Sequence, residues 1–460
     1  MDFSKYYHPG AHGYLIGIGG VSMSPLAEVL SGAGLRITGS DFKDGVNVER
    51  LRTRGIQVFI GHCAENISDD IEFVVRTAAI HDDNPEIIEA RRRGLPIFER
   101  TQAWGSIMQD YRNSICIAGT HGKTTTTSMC THIMMAAERD PTVMIGGTLP
   151  LLKAAHRVGH GDTIIMEACE YYNSFLAFYP TVAVILNIEA DHLDFFRDLE
   201  DVEQSFRTFA SQVPEDGFIV ANADDENTMN TLRPLGRRLV TFGLEHEADV
   251  TARNIRRLGA ETQFDLIWHG KPYTTVSLHV PGIHNVSNAL AASAAALCLG
   301  CSAAAIRYGL AGFTGANRRF EFKGKFNGAD VYDDYAHHPG ELRALLDAVE
   351  PLGYRREIVV FQPHTYSRTK ALFPDFIEQL RRPDVCYLAE IFAAREQNTI
   401  GISSADLAKE LPNGVFFSDN RELEKSLRAT ASPGDIILTV GAGDVYRIGE
   451  ELLKEGGTQP

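Results

Sequence analysis

Apolar and polar residues follow one recurring order along this chain. A short apolar run is followed by a Gly-rich or polar turn, then by a segment able to form a helix. Gly13-Tyr14-Leu15-Ile16-Gly17-Ile18-Gly19-Gly20-Val21-Ser22 opens the pattern. It predicts a strand, a tight turn and a helix over Ser24–Ser31, with a second strand ending at Gly39-Ser40-Asp41. An acidic strand end about twenty residues beyond the turn is the spacing of a nucleotide-binding βαβ unit. Ser22 replaces the third glycine of Gly-x-Gly-x-x-Gly, and such a turn can also serve tight packing alone. The alternation continues through Phe73–Ala79 and Pro85–Arg93 and closes near Tyr111-Arg112-Asn113.

The second stretch begins with Ser114-Ile115-Cys116-Ile117-Ala118-Gly119-Thr120-His121-Gly122-Lys123-Thr124-Thr125-Thr126-Thr127. Strand, Gly-rich turn and helix in that order build a phosphate cradle, with backbone N–H groups and the helix N-terminus facing the anion. Lys123 can reach outer phosphates and the Thr124 hydroxyl can ligate Mg²⁺. Ile117 stands where the usual P-loop has its first glycine, so the loop is a shortened Gly119-x-x-Gly122-Lys123-Thr124. The alternative is an ordinary strand-to-helix turn with a surface lysine. Further strands are predicted at Thr163–Glu167, Val182–Asn187 and Phe218–Ala221. Asp249–Val280 alternates as antiparallel strands do, and Ile283-His284-Asn285-Val286-Ser287-Asn288 leads into an Ala-rich helix over Ala289–Leu299.

The third stretch alternates again. Val331–Tyr335, Ile358–Gln362 and Ile436–Val440 read as strands ending in polar loops. Open parallel sheets bind ligands beyond the carboxyl ends of their strands, and the polar clusters sit at such ends. The fold class is therefore α/β in three domains, 1–113, 114–315 and 316–460. The first and last are expected to be Rossmann-like, and the central one, with its phosphate cradle, is expected to be a P-loop-type ATPase domain.

Composition narrows the class. A chain of 460 residues is too long for a single core. The net charge of -16 argues against a nucleic-acid surface. Met1–His12 lacks the apolar region of a signal peptide, and no apolar run approaches a bilayer span, so the expected compartment is the cytoplasm. Cys298 and Cys301 form the only Cys-x-x-Cys pair among seven cysteines. Without a second pair they read as packing thiols rather than zinc ligands.

Two acidic clusters follow strands of the phosphate-loop region: Glu167-Ala168-Cys169-Glu170 and Asn187-Ile188-Glu189-Ala190-Asp191-His192-Leu193-Asp194. Carboxylates there suit the Mg²⁺ of a nucleotide, which takes a few carboxylates beside phosphate oxygens and water. Taken alone, each cluster also fits a solvated loop.

With these runs in view, the chain resembles the Mur ligase family over nearly its whole length. The runs Gly17–Ser24, Gly119–Thr126, Glu189–Asp194, His284–Asn288, Arg318-Arg319-Phe320, Asp333-Asp334-Tyr335-Ala336-His337-His338-Pro339 and Phe361-Gln362-Pro363-His364 carry the resemblance. The last two point to the alanine-adding member. The resemblance implies, in order, a uridine-nucleotide domain, an ATP domain and an amino-acid domain. It implies that ATP phosphorylates the lactoyl carboxylate of UDP-N-acetylmuramate and that L-alanine then displaces phosphate to form an amide. Monomer and homodimer stay open.

By the same resemblance Thr124 and Glu170 would ligate one Mg²⁺ and His192 a second metal, where imidazole suits Mn²⁺ better. A helix-cap or phosphate-contact role for His192 stays open. Gly119, Thr120, His121, Gly122, Lys123, Thr124 and Thr125 would cradle ATP. Asn288 would contact adenine, Arg319 the phosphates, and Asp334 and His337 would line the nucleotide. Gly17, Gly19, Gly20 and Ser22 would hold the UDP pyrophosphate, with Ser40, Asp41 and His62 nearby. Lys123, Glu170, His192 and Arg368 are the catalytic candidates, Arg368 gripping the alanine carboxylate or a phosphate.

The chain departs from the family pattern in places. Thr365 stands where relatives often carry arginine, and Cys169-Glu170-Tyr171-Tyr172 replaces Asp-Glu-Ser-Asp. No lysine occurs from Phe195 to Gly270, where sister ligases place a carbamylated one. Three other readings remain: the tripeptide-recycling ligase of the same family, a nucleotide-binding regulator without chemistry, and a dehydrogenase resting on the first Gly-rich turn alone. Gly312–Gly315 is an expected hinge for domain closure.

Overall fold

The computed structural model describes residues 2–77, 79–193, 195–394, 396–454 and 457–458. These residues form three sheets. The first holds β1 (His12–Ile16), β2 (Arg36–Asp41), β3 (Gln57–Ile60), β4 (Phe73–Arg76) and β5 (Ile97–Glu99). Its order is β3-β2-β1-β4-β5 and every pairing is parallel. Tyr14, Leu15, Ile16, Phe73, Val74 and Val75 are fully buried, as expected of strands covered on both faces. The chain moves from β1 outward to β2 and β3, then returns to β4 on the other side. The loop after β1 therefore opens at the switch point, where α/β sheets bind ligands. The helix expected over Ser24–Ser31 spans Met23–Gly32, and β4 ends at Arg76. Ala78, in the segment expected as strand, lies outside the described residues.

The second sheet holds β6 (Asn113–Ala118), β7 (Thr142–Leu149), β8 (Ala154–Arg157), β9 (Thr163–Glu167), β10 (Val182–Ile185), β11 (Phe218–Asn222), β12 (Leu239–Phe242), β13 (Val250–Leu258), β14 (Glu261–Trp268) and β15 (Lys271–Leu278). Their order is β15-β14-β13-β12-β11-β10-β6-β9-β7-β8. Strands β10, β6 and β9 are parallel neighbours, so the ends that carry Asn187, the phosphate loop and Glu167 lie side by side. Two-residue connections join β13 to β14 and β14 to β15, which only antiparallel strands allow. Gly259 and Gly270 take the positive φ, +67° and +73°, that such turns require.

The third sheet holds β16 (Glu321–Phe326), β17 (Ala329–Asp334), β18 (Arg356–Phe361), β19 (Val385–Leu388), β20 (Gly414–Phe416), β21 (Asp435–Val440) and β22 (Gly457–Thr458). Its order is β20-β19-β18-β21-β17-β16-β22. It is parallel from β20 to β17, with β16 and β22 antiparallel at one edge.

The chain packs as two compact units. One comprises Met1–Thr251, Leu266–Thr274 and Ala289–Leu310, and the other Ala252–Asp265, Thr275–Asn288 and Ala311–Pro460. The Ala-rich helix runs Ile283–Cys298, beginning before the alanines, so His284, Asn285 and Asn288 lie in its first two turns rather than in a leading loop. Cys301 is buried with its thiol 3.8 Å from the Met134 sulfur, a packing contact. Among the described residues no helix is long and apolar enough to cross a membrane.

Candidate active site

The phosphate loop leaves β6 at Ala118 and enters the helix Lys123–Ala136 at its first residue. Two glycines make the turn possible. Gly119 has φ +143° and Gly122, the N-cap, has φ +84°. A Cβ on Gly119 would also lie 2.9 Å from the Leu186 Cβ. The threonines that follow are poor helix formers, yet Thr127, Ser128 and Thr131 each return a hydroxyl to the carbonyl four residues earlier, at 2.8 Å.

Asn187, just beyond β10, fixes the loop's shape. Its Oδ1 accepts the His121 N–H at 2.7 Å, and its Nδ2 donates to the His121 carbonyl at 3.2 Å. Its own carbonyl accepts the Thr120 N–H at 3.1 Å. The Thr120 hydroxyl in turn accepts the Glu189 N–H at 2.9 Å. This anchoring explains why β10 stops at Ile185, short of the expected Asn187.

Lys123 bonds across the loop to the carbonyls of Gly119 and Thr120, and pairs with Glu170 at 3.0 Å. Burial alone would pull its pKa down. The Glu170 carboxylate outweighs burial and holds the ammonium above the ordinary lysine range. Glu170 is itself buried, 3 % exposed, so the two charges stabilise each other away from water.

The resemblance puts Thr124 and Glu170 on one metal. The structure gives the Thr124 hydroxyl instead to Glu167, at 3.1 Å. The other Glu167 oxygen accepts the Gly146 N–H at 2.7 Å. Glu167 is thus a metal-ligand candidate within the acidic cluster the sequence singles out, where the resemblance selects only Glu170. The His192 Nε2 lies 3.9 Å from a Glu170 oxygen, and its ring stacks on Tyr171 with centroids 4.3 Å apart. His192, Tyr172 and Asn173 hold φ of +54°, +53° and +55°, strained backbone of the kind that gathers at functional sites. Thr125 is half-buried in the first turn of the helix. Asp194 lies outside the described residues.

In the first sheet, the N–H groups of Gly17 and Ile18 bond the Ser40 carbonyl at 2.8 and 2.9 Å, and that of Gly19 bonds an Asp41 oxygen at 2.9 Å. A Cβ on Gly19 would meet the Val48 side chain at 2.7 Å. The Gly20 N–H bonds the Gly17 carbonyl, and the Ser22 hydroxyl accepts from Arg100. The Ser40 hydroxyl lies 3.0 Å from His62 Nδ1. Beneath both sits Glu86, fully buried, which takes the hydroxyls of Ser40 and Tyr14 and the His62 ring at 2.6, 2.8 and 2.9 Å. Neither Glu86 nor Arg100 carries a local sequence signal. Each sits in an ordinary helix start and gains its partners only through folding.

In the unit that holds the third sheet, Arg318 is committed to Asp333 at 2.9 Å and to the carbonyls of Gly441 and Gly443. Arg319 lies over the Tyr335 ring, 5.2 Å from its centroid, with Glu341 3.8 Å away. Of the two arginines, Arg319 keeps the looser guanidinium. Asp334 accepts the N–H groups of Phe320 and Ala336 at 2.7 and 2.8 Å. Burial pushes its carboxyl up to about 6, against the pull of Arg319. His337 and His364 meet edge to face at 5.7 Å, and Arg368 Nη1 lies 3.3 Å from His364 Nδ1. Thr365 takes φ +67°, unusual for a β-branched residue. Asn288 lies 3.3 Å from the Asn285 side chain. Gln362 pins the loop after β21, bonding Asp444 at 3.0 Å and the Val445 N–H at 3.1 Å.

Family models match this chain in three consecutive stretches: Mur ligase family, catalytic domain, over residues 12–112; Mur ligase middle domain over 117–296; and Mur ligase, glutamate ligase domain, over 318–443. The chain belongs to the Mur ligase family. This Mur ligase is 46% identical to a UDP-N-acetylmuramate–L-alanine ligase of Agathobacter rectalis, over 99% of each chain. It is 44% identical to one from Clostridium novyi, over 96% of this chain and 97% of the other. The solved UDP-N-acetylmuramate–alanine ligase of Thermotoga maritima superposes with a TM-score of 0.79 at 29% identity, over 96% of this chain and 98% of that one. A murein peptide ligase from Psychrobacter arcticus shares the fold with a TM-score of 0.70 at 23% identity, over 97% and 98%.

Proposed function

We propose that this Mur ligase is a cytoplasmic enzyme that joins L-alanine to the lactoyl carboxylate of UDP-N-acetylmuramate, driven by ATP. The observation that carries the chemistry is the Lys123–Glu170 pair at 3.0 Å, at the mouth of a Gly-rich loop on a helix N-terminus. The choice of alanine rests on identity to alanine ligases along the whole chain. A carboxylate resists amine attack because it is anionic and lacks a leaving group. Phosphorylation removes both obstacles. The site must then hold several negative charges in line, and positioning with charge neutralisation supplies most of the catalysis.

The proposed assignment is 1–113 for the nucleotide sugar, 114–315 for ATP and 316–460 for the amino acid. Gly17, Gly19, Gly20, Ser22, Ser40, Asp41 and His62 bind the sugar nucleotide. Gly119 to Thr125 cradle the ATP phosphates with Lys123. The family resemblance proposes Asn288 as an adenine contact, Arg319 as a phosphate contact, and Asp334 and His337 as residues lining the nucleotide. Arg368 grips the alanine carboxylate. The Thr124 hydroxyl and the Glu167 and Glu170 carboxylates are hard oxygen donors gathered at one loop, and this donor set fits Mg²⁺. They would hold the ion, His192 would ligate a second metal, and the bound metal would supply neutralisation of phosphate charge.

The test is phosphate release with ATP, Mg²⁺ and UDP-N-acetylmuramate against single amino acids and a stem tripeptide. Release is expected with L-alanine. Release driven by the tripeptide and not by L-alanine would move the protein to the recycling activity, and no amino-acid dependence would reject the ligase reading.

A further inference from the structure

Arg100 is the first residue of the helix Arg100–Met108. Its Nη1 donates to the Ser22 hydroxyl at the end of the first Gly-rich turn. Among the described residues that hydroxyl is its hydrogen-bond partner, and no carboxylate pairs with it. The adjacent Glu99 is engaged elsewhere, accepting Arg76 Nε at 2.9 Å and closing a capping box with Gln102. The side chain is half-buried, and burial pulls its pKa below the arginine range. A cation withdrawn from water without a counter-ion is unfavourable. Placing it at a helix N-terminus, whose dipole repels cations, adds to the penalty. One bound anion would relieve both.

The surroundings indicate which anion. Ser22 closes the first Gly-rich turn, so the guanidinium lies at the end of the loop that leaves β1. The Arg100 helix is fixed against the acidic segment. A Cβ on Gly105 would lie 1.9 Å from the Ala177 carbonyl oxygen, in the turn that follows Glu170. An anion held on Arg100 therefore sits at the end of the first Gly-rich turn, on a helix packed against the segment that follows Glu170.

The geometry points to Arg100 as a binding residue for an anionic group of the nucleotide sugar, its carboxylate or its pyrophosphate, at the first Gly-rich turn. This inference rests on the function proposed above, in which that substrate carries both anions.

Calorimetry on the intact protein tests it with three ligands: UDP-N-acetylmuramate, UDP-N-acetylglucosamine, which lacks the lactoyl carboxylate, and ADP. A hydrogen-bonded charge contact corresponds to about 10- to 100-fold in affinity. Arg100→Gln, or Arg100→Met, which keeps the aliphatic stem, is expected to weaken UDP-N-acetylmuramate by that factor and leave ADP within about twofold. Arg100→Lys should recover part of the loss. Loss for UDP-N-acetylmuramate alone assigns the carboxylate, and equal loss for both sugars assigns the pyrophosphate. The result is read from whichever variant retains ADP binding, which reports an intact fold. Undiminished binding of both sugars overturns the inference. A wild-type protein that binds ADP and neither sugar overturns the proposed function instead.

Discussion

Replacing Asn187 by alanine removes the side chain that braces the phosphate loop without touching the Gly-Lys-Thr motif. Two hydrogen bonds to His121 are lost, at 2.7 and 3.2 Å, while the Asn187 main-chain bond to Thr120 can remain. Each amide bond contributes about 0.5–1.5 kcal/mol net, so the ordered loop loses roughly 1–3 kcal/mol against looser conformers. A ligand that needs the ordered loop loses apparent affinity by the fraction of molecules still competent. ADP binding should therefore weaken, by at most roughly 150-fold. Calorimetry with ADP and Mg²⁺ reads this directly, and UDP-N-acetylmuramate binding is the internal control because its loop lies on the first sheet. ADP affinity within about twofold of wild type, in a variant that still binds the nucleotide sugar, would refute the reasoning.

Three further predictions follow from the same geometry. Lys123→Ala should abolish phosphate release and leave UDP-N-acetylmuramate binding by calorimetry nearly intact, since the two Gly-rich turns belong to different sheets; loss of sugar binding in a folded variant would contradict the two-site assignment. Burial holds the His132 imidazole down at about 4, so between there and the ordinary value near 6.5 the unfolded chain binds more protons than the folded one. Stability is then full above about pH 6.5 and falls by about 2 kcal/mol from pH 7.5 to 5; urea unfolding should show this slope, and His132→Gln should flatten it. With no lysine from Phe195 to Gly270, activity should not depend on dissolved CO₂, and recovery on adding bicarbonate after degassing would count against that expectation.

Local sequence determined much here, because the governing physics is short-range. Gly119 and Gly122 need positive φ within a few residues of the strand they follow, so the loop is visible as a word in the chain. Apolar runs bounded by turns are likewise legible for β1, β6, β9, β18 and β21, since strands covered on both faces must be continuously apolar. What lay beyond reading depends on neighbours distant in the chain. Glu167 and Glu170 are interchangeable in sequence, and only the pairing of β9 beside β6 gives one carboxylate to Thr124 and the other to Lys123. Arg318 and Arg319 are adjacent, yet the carbonyls after β21 capture the first and leave the second looser. Glu86 lies 46 residues from Ser40, and Arg100 lies 78 from Ser22. No local propensity encodes such pairings. Burial withdraws these charged and polar groups from water, and each then takes the partner that the packed sheets and helices bring within reach.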